Sequence, residues 1–224
     1  MTETVSADSQ AAFERERADA RRSVARDADA VRAQVVRMYS RLESEQVAVI
    51  AATKLVLACE LGCNYCCHQR VEIRPYEAFV LAEYVRTRMT VAEQADVRGR
   101  LVANRTRIAP LAPAQHTQAG IACALLVNGA CSVYEARPAA CRKYYSLSVD
   151  TCRSAFEHPT EPLNGPLEDD TLRIAGNAVA LGYAKGIEES GRDADRYELH
   201  SALLEALENP KALRRYRDGK KAFV

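Results

Sequence analysis

The sequence has no tryptophan, few aromatic residues, almost no net charge and no long hydrophobic run. Aromatic residues make up 6% of the chain, which argues against a surface on which nucleic-acid bases stack. A formal net charge of +1 gives no field that attracts nucleic acid or an anionic membrane. No stretch approaches the roughly 20 apolar residues of a membrane span, and the polar N-terminus lacks the apolar segment of a secretory signal. We therefore expect no nucleic-acid partner, no membrane association and a cytoplasmic location.

What the sequence does contain is eight cysteines, all in its central part. They are Cys59, Cys63, Cys66, Cys67, Cys123, Cys131, Cys141 and Cys152. Thiols stay reduced in the cytoplasm, so clustered cysteines there are more often metal ligands or redox centres than structural disulfides. Isolated free cysteines are often small buried core residues. Because no cysteine occurs in the helical flanks, we predict instead that all eight bind metal.

The first four cysteines are spaced Cys-x3-Cys-x2-Cys-Cys, with Gly62 directly before Cys63. Short spacings let one loop wrap a cation, and glycine reaches the positive φ that such a curl requires. Cys66 and Cys67 are adjacent, and neighbouring side chains diverge in helices and in strands. The two residues should therefore not share one mononuclear ion. This predicts two metal ions, or one multinuclear cluster, between the two groups of cysteines.

The identity of the metal stays open from the residues alone. All-thiolate sites suit zinc and iron–sulfur clusters alike. A closed four-cysteine zinc site would be structural, whereas an iron–sulfur cluster would allow redox or radical chemistry. Nearby basic residues could balance the thiolate charge, although a solvated surface role is the simpler interpretation for most of them. They are Arg70, Arg74, Arg137, Arg142 and Lys143.

The four histidines are weaker candidates. His68 follows the cysteine pair and is either an additional ligand, a hydrogen-bond partner of a thiolate or a polar loop residue. The other three are scattered along the chain, and we interpret them as surface or capping residues: His116, His158 and His200.

The spacing of apolar residues predicts a mainly α fold with a small irregular cysteine-rich core and one short hairpin. Residues 9–57 are predicted to form one helix, since apolar residues recur along one face at steps of three and four. These residues are Val24, Ala28, Val31, Val35, Met38 and Leu42. This seam either packs on the rest of the chain or, as the alternative, is exposed for self-association or for a protein partner.

Two helices are predicted after the first cysteines. Pro75 is a good first helical residue and begins a helix to about residue 89, after the strand-like run 71–75. Thr90 and Glu93 form a Thr-x-x-Glu capping box, which begins a second helix to about residue 108.

Later signals are more scattered. Asn128-Gly129 between two apolar runs predicts a tight hairpin turn. Pro138 opens a short helix that carries Cys141, and further helices are predicted at 170–190 and 194–208, before a basic tail from Lys211. A segment rich in proline and glycine is predicted as a linker. The predicted organisation is a helical extension at 1–57, a metal-binding core at 58–156, a linker at 157–170 and C-terminal helices at 171–224.

The cysteine pattern resembles the YkgJ-like cysteine-cluster family, a zinc- or iron-chelating domain. The first half matches at Cys59-x-x-Gly62-Cys63-x-x-Cys66-Cys67, then Val71-x-Ile73 and Pro75-x-Glu77-Ala78. The second half matches at Cys123-x-Leu125, Cys131-x-Val133-Tyr134-Glu135-x-Arg137-Pro138, Cys141-Arg142 and Cys152. The resemblance covers about residues 55–155 and implies metal chelation by the cysteines. Ala124 stands where the family often has proline, and a similar branch includes longer flagellin lysine methylases that carry an iron–sulfur cluster.

A radical S-adenosylmethionine enzyme is the rival interpretation, because Cys59-x3-Cys63-x-Tyr65-Cys66 has a similar spacing. The pattern disfavours it, since the motif follows a predicted helix and the chain lacks the alternating strands of a barrel. Three functions therefore remain from the sequence. The first is a cytosolic zinc- or iron–sulfur-binding protein. The alternatives are an iron–sulfur enzyme of redox or methyl-transfer chemistry, and a helical interaction scaffold stapled by structural zinc.

Overall fold

A computed structural model of the chain describes residues 7–23, 28–60, 62–161 and 165–224, with the side chains of 28 and 29 excepted. Within these ranges the chain is mainly helical, as predicted. The α-helices are α1 Ala7–Arg22, α2 Ala28–Thr53, α3 Pro75–Arg88, α4 Val91–Ile108, α5 Pro113–Gln118, α6 Ala139–Arg142, α7 Val149–Glu157, α8 Asp170–Glu189, α9 Leu199–Glu208 and α10 Pro210–Arg217. Two antiparallel ribbons pair β1 (Glu72–Ile73) with β4 (Tyr197–Glu198) and β2 (Leu126–Val127) with β3 (Ala130–Cys131).

The N-terminal region is a pair of helices that fold against each other, so the prediction of one helix over 9–57 is wrong. Helix α1 ends at Arg22 and α2 begins at Ala28. The guanidinium of Arg41 on α2 binds the buried carboxylate of Glu16 at 2.5 and 2.6 Å and reaches Asp19 at 3.0 Å, both on α1. These long-range contacts, which no local signal encodes, hold the two helices together.

The predicted apolar seam of α2 faces the protein interior. Its members Val31, Val35, Met38 and Leu42 are at most 2% exposed and belong to the main core. Val24 and the side chain of Ala28 lie outside the described residues. The expectation of an exposed seam for a partner is therefore wrong for these four residues, because the chain itself covers them.

Helix α8 packs closely against α1 and α2 and thereby joins the two ends of the chain. A Cβ at Gly182 would overlap the carbonyl of Phe13, and a Cβ at Gly186 would overlap that of Arg17. Only glycine at these two positions lets the α1 backbone approach α8 so closely. The N-terminal helices α1 and α2 are thus packed on the C-terminal helix α8.

The local signals between residues 70 and 142 are confirmed. Pro75 is the first residue of α3, and the Thr90 amide binds the Glu93 carboxylate at 2.7 Å while the Thr90 hydroxyl accepts the Glu93 amide at 3.3 Å. The hairpin turns at Asn128 and Gly129, whose φ values are 50° and 78°. Such positive φ values at both central residues are those of the two-residue turn that joins strands with native twist.

Three predictions for the second half are corrected. The second C-terminal helix begins at Leu199 and not at 194, since Tyr197 and Glu198 pair with β1 as a strand. The predicted tail from Lys211 is helix α10, capped by the Asn209 side chain, which accepts the Lys211 amide at 3.0 Å. Helix α7 begins near the end of the second cysteine region, where no helix was predicted beyond the one opened by Pro138; Ser148 caps it.

The predicted linker 157–170 contains no regular element in its described part beyond the ends of α7 and α8, and Pro162 lies outside the described residues. Its role as a domain boundary stays a prediction. In the described ranges, no helix is both long enough and apolar enough to cross a membrane.

Candidate metal centre

The first cysteine segment combines a tight turn with a short 3-10 helix. Gly62 has a φ of +93°, as its position before Cys63 predicted, and the Cys63 amide donates to the carbonyl of Glu60 at 3.1 Å. The 3-10 helix Tyr65–His68 carries both Cys66 and Cys67. Three residues complete a turn of such a helix, so adjacent side chains leave it about 120° apart. The side chains therefore leave the helix in different directions, but the Cys66 and Cys67 thiols still lie within hydrogen-bonding distance of each other.

A backbone hydrogen bond joins the two cysteine segments directly. The amide of Cys123 donates to the carbonyl of Cys67 at 2.7 Å. A second junction lies near Ser146, whose amide points at the sulfur of Cys59 at 3.4 Å and whose carbonyl accepts the Ala58 amide at 2.9 Å. Both ends of the first segment are thus fixed to the second.

The turn around Cys123 is held by side chains from two helices. From α4, Asn104 donates to the carbonyl of Ala122 at 2.8 Å, and Arg100 donates to the carbonyl of Ala124 at 2.7 Å. From α9, the ring of His200 accepts the Ala124 amide at 3.1 Å. The backbone on both sides of Cys123 is consequently fixed without any contribution from its thiol.

Cys131 and Cys141 reach the same region on separate elements. Cys131 ends the hairpin opposite Leu126, and a Cβ at the hairpin residue Gly129 would lie 3.6 Å from the Asn64 amide nitrogen of the first segment. Cys141 lies on α6, which begins where the buried carboxylate of Glu77 accepts the Ala139 amide at 2.7 Å.

Cys152 is carried by α7, which packs against the 3-10 helix. The ring of Phe156 lies 4.7 Å from that of His68 and 5.8 Å from that of Tyr65, and Arg153 donates to the Tyr65 hydroxyl at 3.2 Å. The last cysteine of the sequence, Cys152, therefore lies on a helix that contacts the first cysteine segment.

The thiols influence one another in two sets that share Cys66. Burial raises the pKa of Cys59, and the charges of Cys152, Cys63 and Cys66 raise it further. Burial likewise raises the pKa of Cys123 to about 11, with Cys66 again contributing. The pKa values of Cys131 and Cys141 are also raised, by burial first and then by Cys123 and Cys66 among others.

These raised pKa values mean that the thiols of Cys59, Cys123, Cys131 and Cys141 are protonated near neutral pH without a cation. The hydrogen bond to Cys67 and burial raise the pKa of Cys66 as well. Since metal binding requires thiolates, it must displace these protons.

The sulfur atoms lie near one another, but they do not surround a common point at metal-binding distance. Among the described residues no three cysteine sulfurs lie within 4.8 Å of one another. Zn–S bonds of about 2.3 Å place tetrahedral sulfurs about 3.8 Å apart. Closing the cysteines on one ion therefore requires rotation of side chains, and the backbone contacts described above already bring the segments together.

Of the five basic residues singled out in the sequence, Arg137 is the one whose charge acts on the pKa of the thiols of Cys66 and Cys131. Its guanidinium lies 4.0 Å from the ring centre of Tyr134, and its Nε is buried without a hydrogen-bond partner. Its charge opposes the rise in the pKa of Cys66 and of Cys131. The other predicted candidates bind elsewhere: Arg70 to Glu72, Arg74 to the carbonyl of Ala194, Arg142 to Glu43, and Lys143 to Asn177.

The histidines differ from the sequence interpretation. The Nδ1 of His68 donates to the Asn64 carbonyl at 3.2 Å. His116 and His200 were interpreted as surface or capping residues, and this is wrong, because they are 2% and 4% exposed. His158 is exposed, with 57% of its side chain accessible. The only feature of the sequence that could have indicated that these histidines are buried is the short spacing of Glu198 and His200. Such spacings are too common to be informative.

Comparison with protein families identifies the segment that contains this centre. Residues 58–159 match a family model, CxxCxxCC, described as "Putative zinc- or iron-chelating domain". The match includes all eight cysteines and agrees with the resemblance found in the sequence. This segment of the chain is similar to the CxxCxxCC domain. Neither the curated proteins nor the solved structures gave a significant match.

The matched segment is held in place by residues outside it. His200 on α9 holds the amide that follows Cys123. On α2, Glu43 binds the guanidinium of Arg142, the residue after Cys141, and that guanidinium lies 4.2 Å from the ring centre of Tyr39. The flanking helices thus fix two of the cysteine-bearing turns of the domain.

Proposed function

We propose that this chain is a metal-chelating protein whose eight cysteines supply thiolates to one continuous zinc or iron centre. The observation that carries the proposal is the bond from the Cys123 amide to the Cys67 carbonyl, because it makes the two cysteine segments a single unit. The family description supports chelation of zinc or iron. The identity of the ligands and their number are parts of the proposal.

The arrangement favours two ions with a shared ligand, or one multinuclear cluster. Cys59, Cys63 and Cys152 form one set, Cys123, Cys131 and Cys141 form the other, and Cys66 influences the pKa of members of both. Cys67 supplies the eighth thiolate beside Cys66, to which its thiol is hydrogen-bonded. The guanidinium of Arg137 would offset part of the negative charge and offer its free Nε–H to a thiolate.

Access to the centre supports exchange of metal in addition to a structural role. Cys59 and Cys66 are exposed, whereas the other six cysteines are partly buried. Ligands at the surface can dissociate first and be replaced by those of a donor or acceptor. We therefore infer that the ion enters and leaves on the side of Cys59 and Cys66, in a reducing compartment such as the cytoplasm.

The test is metal analysis of protein purified without oxygen. Zinc, iron and acid-labile sulfide are measured per chain, and the visible spectrum is recorded. Two zinc ions without colour, or iron with matching sulfide and a broad visible absorption, are the results expected from a centre of eight thiolates. Iron with sulfide would bring the iron–sulfur enzyme forward as the activity to assay. A single mononuclear ion per chain, or no metal, would contradict the proposal.

A further inference from the structure

Two histidines and a glutamate meet in the interior, apart from the cysteines. His116 on α5, Glu198 on β4 and His200 on α9 each offer one nitrogen or oxygen, and these atoms lie within 4.8 Å of one another. His116 is 2% exposed and His200 is 4% exposed. The three residues come from separate elements, so the tertiary fold brings them together.

The protonation states of Glu198 and His200 follow from their partners. The Nε2 of His200 accepts the Ala124 amide at 3.1 Å, so the ring proton is on Nδ1, which donates to Glu198 at 2.7 Å. Glu198 also accepts the amides of His200 at 3.0 Å and Ser201 at 2.9 Å. Burial opposes its ionisation, but the hydrogen bonds and the charge interaction with His200, together with the hydrogen bond from Ser201, outweigh burial and lower its pKa to about 2. The group is therefore an anionic carboxylate beside a neutral imidazole.

His116 has a ring nitrogen that no protein group satisfies. Its Nδ1 is buried and has no hydrogen-bond partner. Burial lowers its pKa, so the ring is neutral at pH 7. Arg70 is the nearby cation, and its charge is paired with Glu72 at 2.7 Å. Buried polar atoms are almost always satisfied, so an unpaired nitrogen beside a carboxylate indicates a missing ligand.

We propose that His116, Glu198 and His200 form a second metal site, with nitrogen and oxygen ligands, for a divalent transition metal ion such as Zn²⁺ or Fe²⁺. Two imidazoles and one carboxylate are a donor set that both ions accept, and three protein ligands leave further coordination positions open. The ion would satisfy the free Nδ1 of His116 and the negative charge of Glu198. This site does not rest on the cysteine centre, from which it differs in every ligand type.

Occupation of the site has a consequence for the cysteine segment. For His200 to bind the ion through Nδ1, the proton on that nitrogen must leave and moves to Nε2. The protonated Nε2 can no longer accept the amide of Ala124, so this amide must turn away. Because Ala124 follows Cys123, metal at the histidine site changes the backbone next to a proposed thiolate ligand.

The experiment uses Co²⁺ as the probe, added to the full-length protein without oxygen. Thiolate-bound Co²⁺ has intense ligand-to-metal charge-transfer absorption in the near ultraviolet, which ions with only nitrogen and oxygen ligands lack. Total bound cobalt is measured after equilibrium dialysis, and the charge-transfer absorption is measured on the same samples. The variant is His116→Gln, which removes a ring nitrogen without a partner, and the matched control is His158→Gln at the surface.

The expected result is that His116→Gln loses one equivalent of bound cobalt with unchanged charge-transfer absorption, while His158→Gln matches the wild-type protein. Exchange of the Ala124 amide, followed by NMR, should accelerate on loading of the wild-type protein and not of His116→Gln. Equal cobalt binding by the wild-type protein and His116→Gln, with both folded by circular dichroism, would overturn the proposal. So would a loss of cobalt accompanied by loss of charge-transfer absorption. If the cysteines do not bind metal, the wild-type protein should show no charge-transfer absorption. It should still bind the one equivalent of cobalt that depends on His116.

Discussion

The carbonyl of Cys67 and the amide of Cys123 form a hydrogen bond of 2.7 Å, although one residue lies on the 3-10 helix and the other in a loop after α5. The bond does not involve either thiol. It keeps the two cysteine segments together whether or not the sulfurs bind metal. Metal binding at this centre therefore requires mainly movement of side chains and little movement of the backbone. The predictions below depend on this difference.

Replacing a proposed ligand should lower both metal content and stability. Cys63→Ser and Cys141→Ser each remove one thiolate from a different set, and metal affinity is coupled to folding free energy. We expect each variant to hold less metal per chain and to melt at a lower temperature than the wild-type protein. Elemental analysis and thermal unfolding measure the two effects.

The control for Cys141→Ser is Ala140→Ser, which adds a hydroxyl on the same helix and keeps every thiol. It should retain the full metal content. If either cysteine variant keeps both metal and melting temperature unchanged, that cysteine is not a ligand.

The turn before Cys63 should not tolerate a side chain. Gly62 has a φ of +93° and an added Cβ would meet nothing within 4 Å, so Gly62→Ala tests backbone strain alone. We expect a loss of about 1 kcal/mol or more in the free energy of unfolding. Gly99→Ala, in the interior of α4 and equally free of neighbours, should instead gain up to about 1 kcal/mol.

Urea unfolding of the two alanine variants, compared with the wild-type protein, measures this difference. If Gly62→Ala and Gly99→Ala change the free energy of unfolding equally and in the same direction, the positive φ of Gly62 does not explain the effect.

The charge of Arg137 should support metal binding. Its Nε is buried without a partner and its charge opposes the rise in the pKa of Cys66 and Cys131. We expect Arg137→Gln to weaken zinc affinity by roughly 10- to 100-fold, the usual effect of losing a group that supports metal ligands. Competition with a chromophoric chelator measures the affinity.

Arg70→Gln is the matched control, because Arg70 is paired with Glu72 at 2.7 Å. It should change zinc affinity far less than Arg137→Gln. Equal losses in the two variants would mean that Arg137 acts only through general charge.

The metal-free protein should lose stability in alkaline solution. The pKa of Cys123 is raised from an ordinary value of 9.0 to about 11 by burial first, so the folded state keeps a proton that the unfolded state releases. This stabilising contribution is complete below pH 9 and is lost as the pH rises towards about 11. Urea unfolding of the metal-free protein on both sides of this interval measures the loss.

The metal-loaded protein provides the comparison, since its thiolates are already deprotonated. Its unfolding free energy should fall less over the same interval. A metal-free protein that is equally stable below and above this interval would contradict the assignment of buried thiols.

Sequence reasoning succeeded where a signal is local. The Thr90–Glu93 capping box and the Asn128-Gly129 turn are encoded within four residues, and both formed as predicted. The family resemblance also rested on short spacings, and the family comparison confirms it. The assignment of the individual cysteines as ligands stays a prediction.

The errors arose where contacts between distant parts of the chain decide the outcome. The strand at Tyr197 exists because β1 pairs with it, and an apolar period alone made this region appear helical. The separation of α1 from α2 is fixed by Arg41 and its partners Glu16 and Asp19. His116 and His200 could not be recognised as neighbours, since only the folded chain brings α5 beside α9.

The contact between the His200 ring and the Ala124 amide also has a consequence for biosynthesis. On the ribosome, the eight cysteines emerge well before α8 and α9, so the nascent cysteine segment lacks both the helix that holds the N-terminal pair and the ring that fixes the Cys123 turn. It follows that the Cys123 turn gains this contact only once α9 has been synthesised and has folded against it.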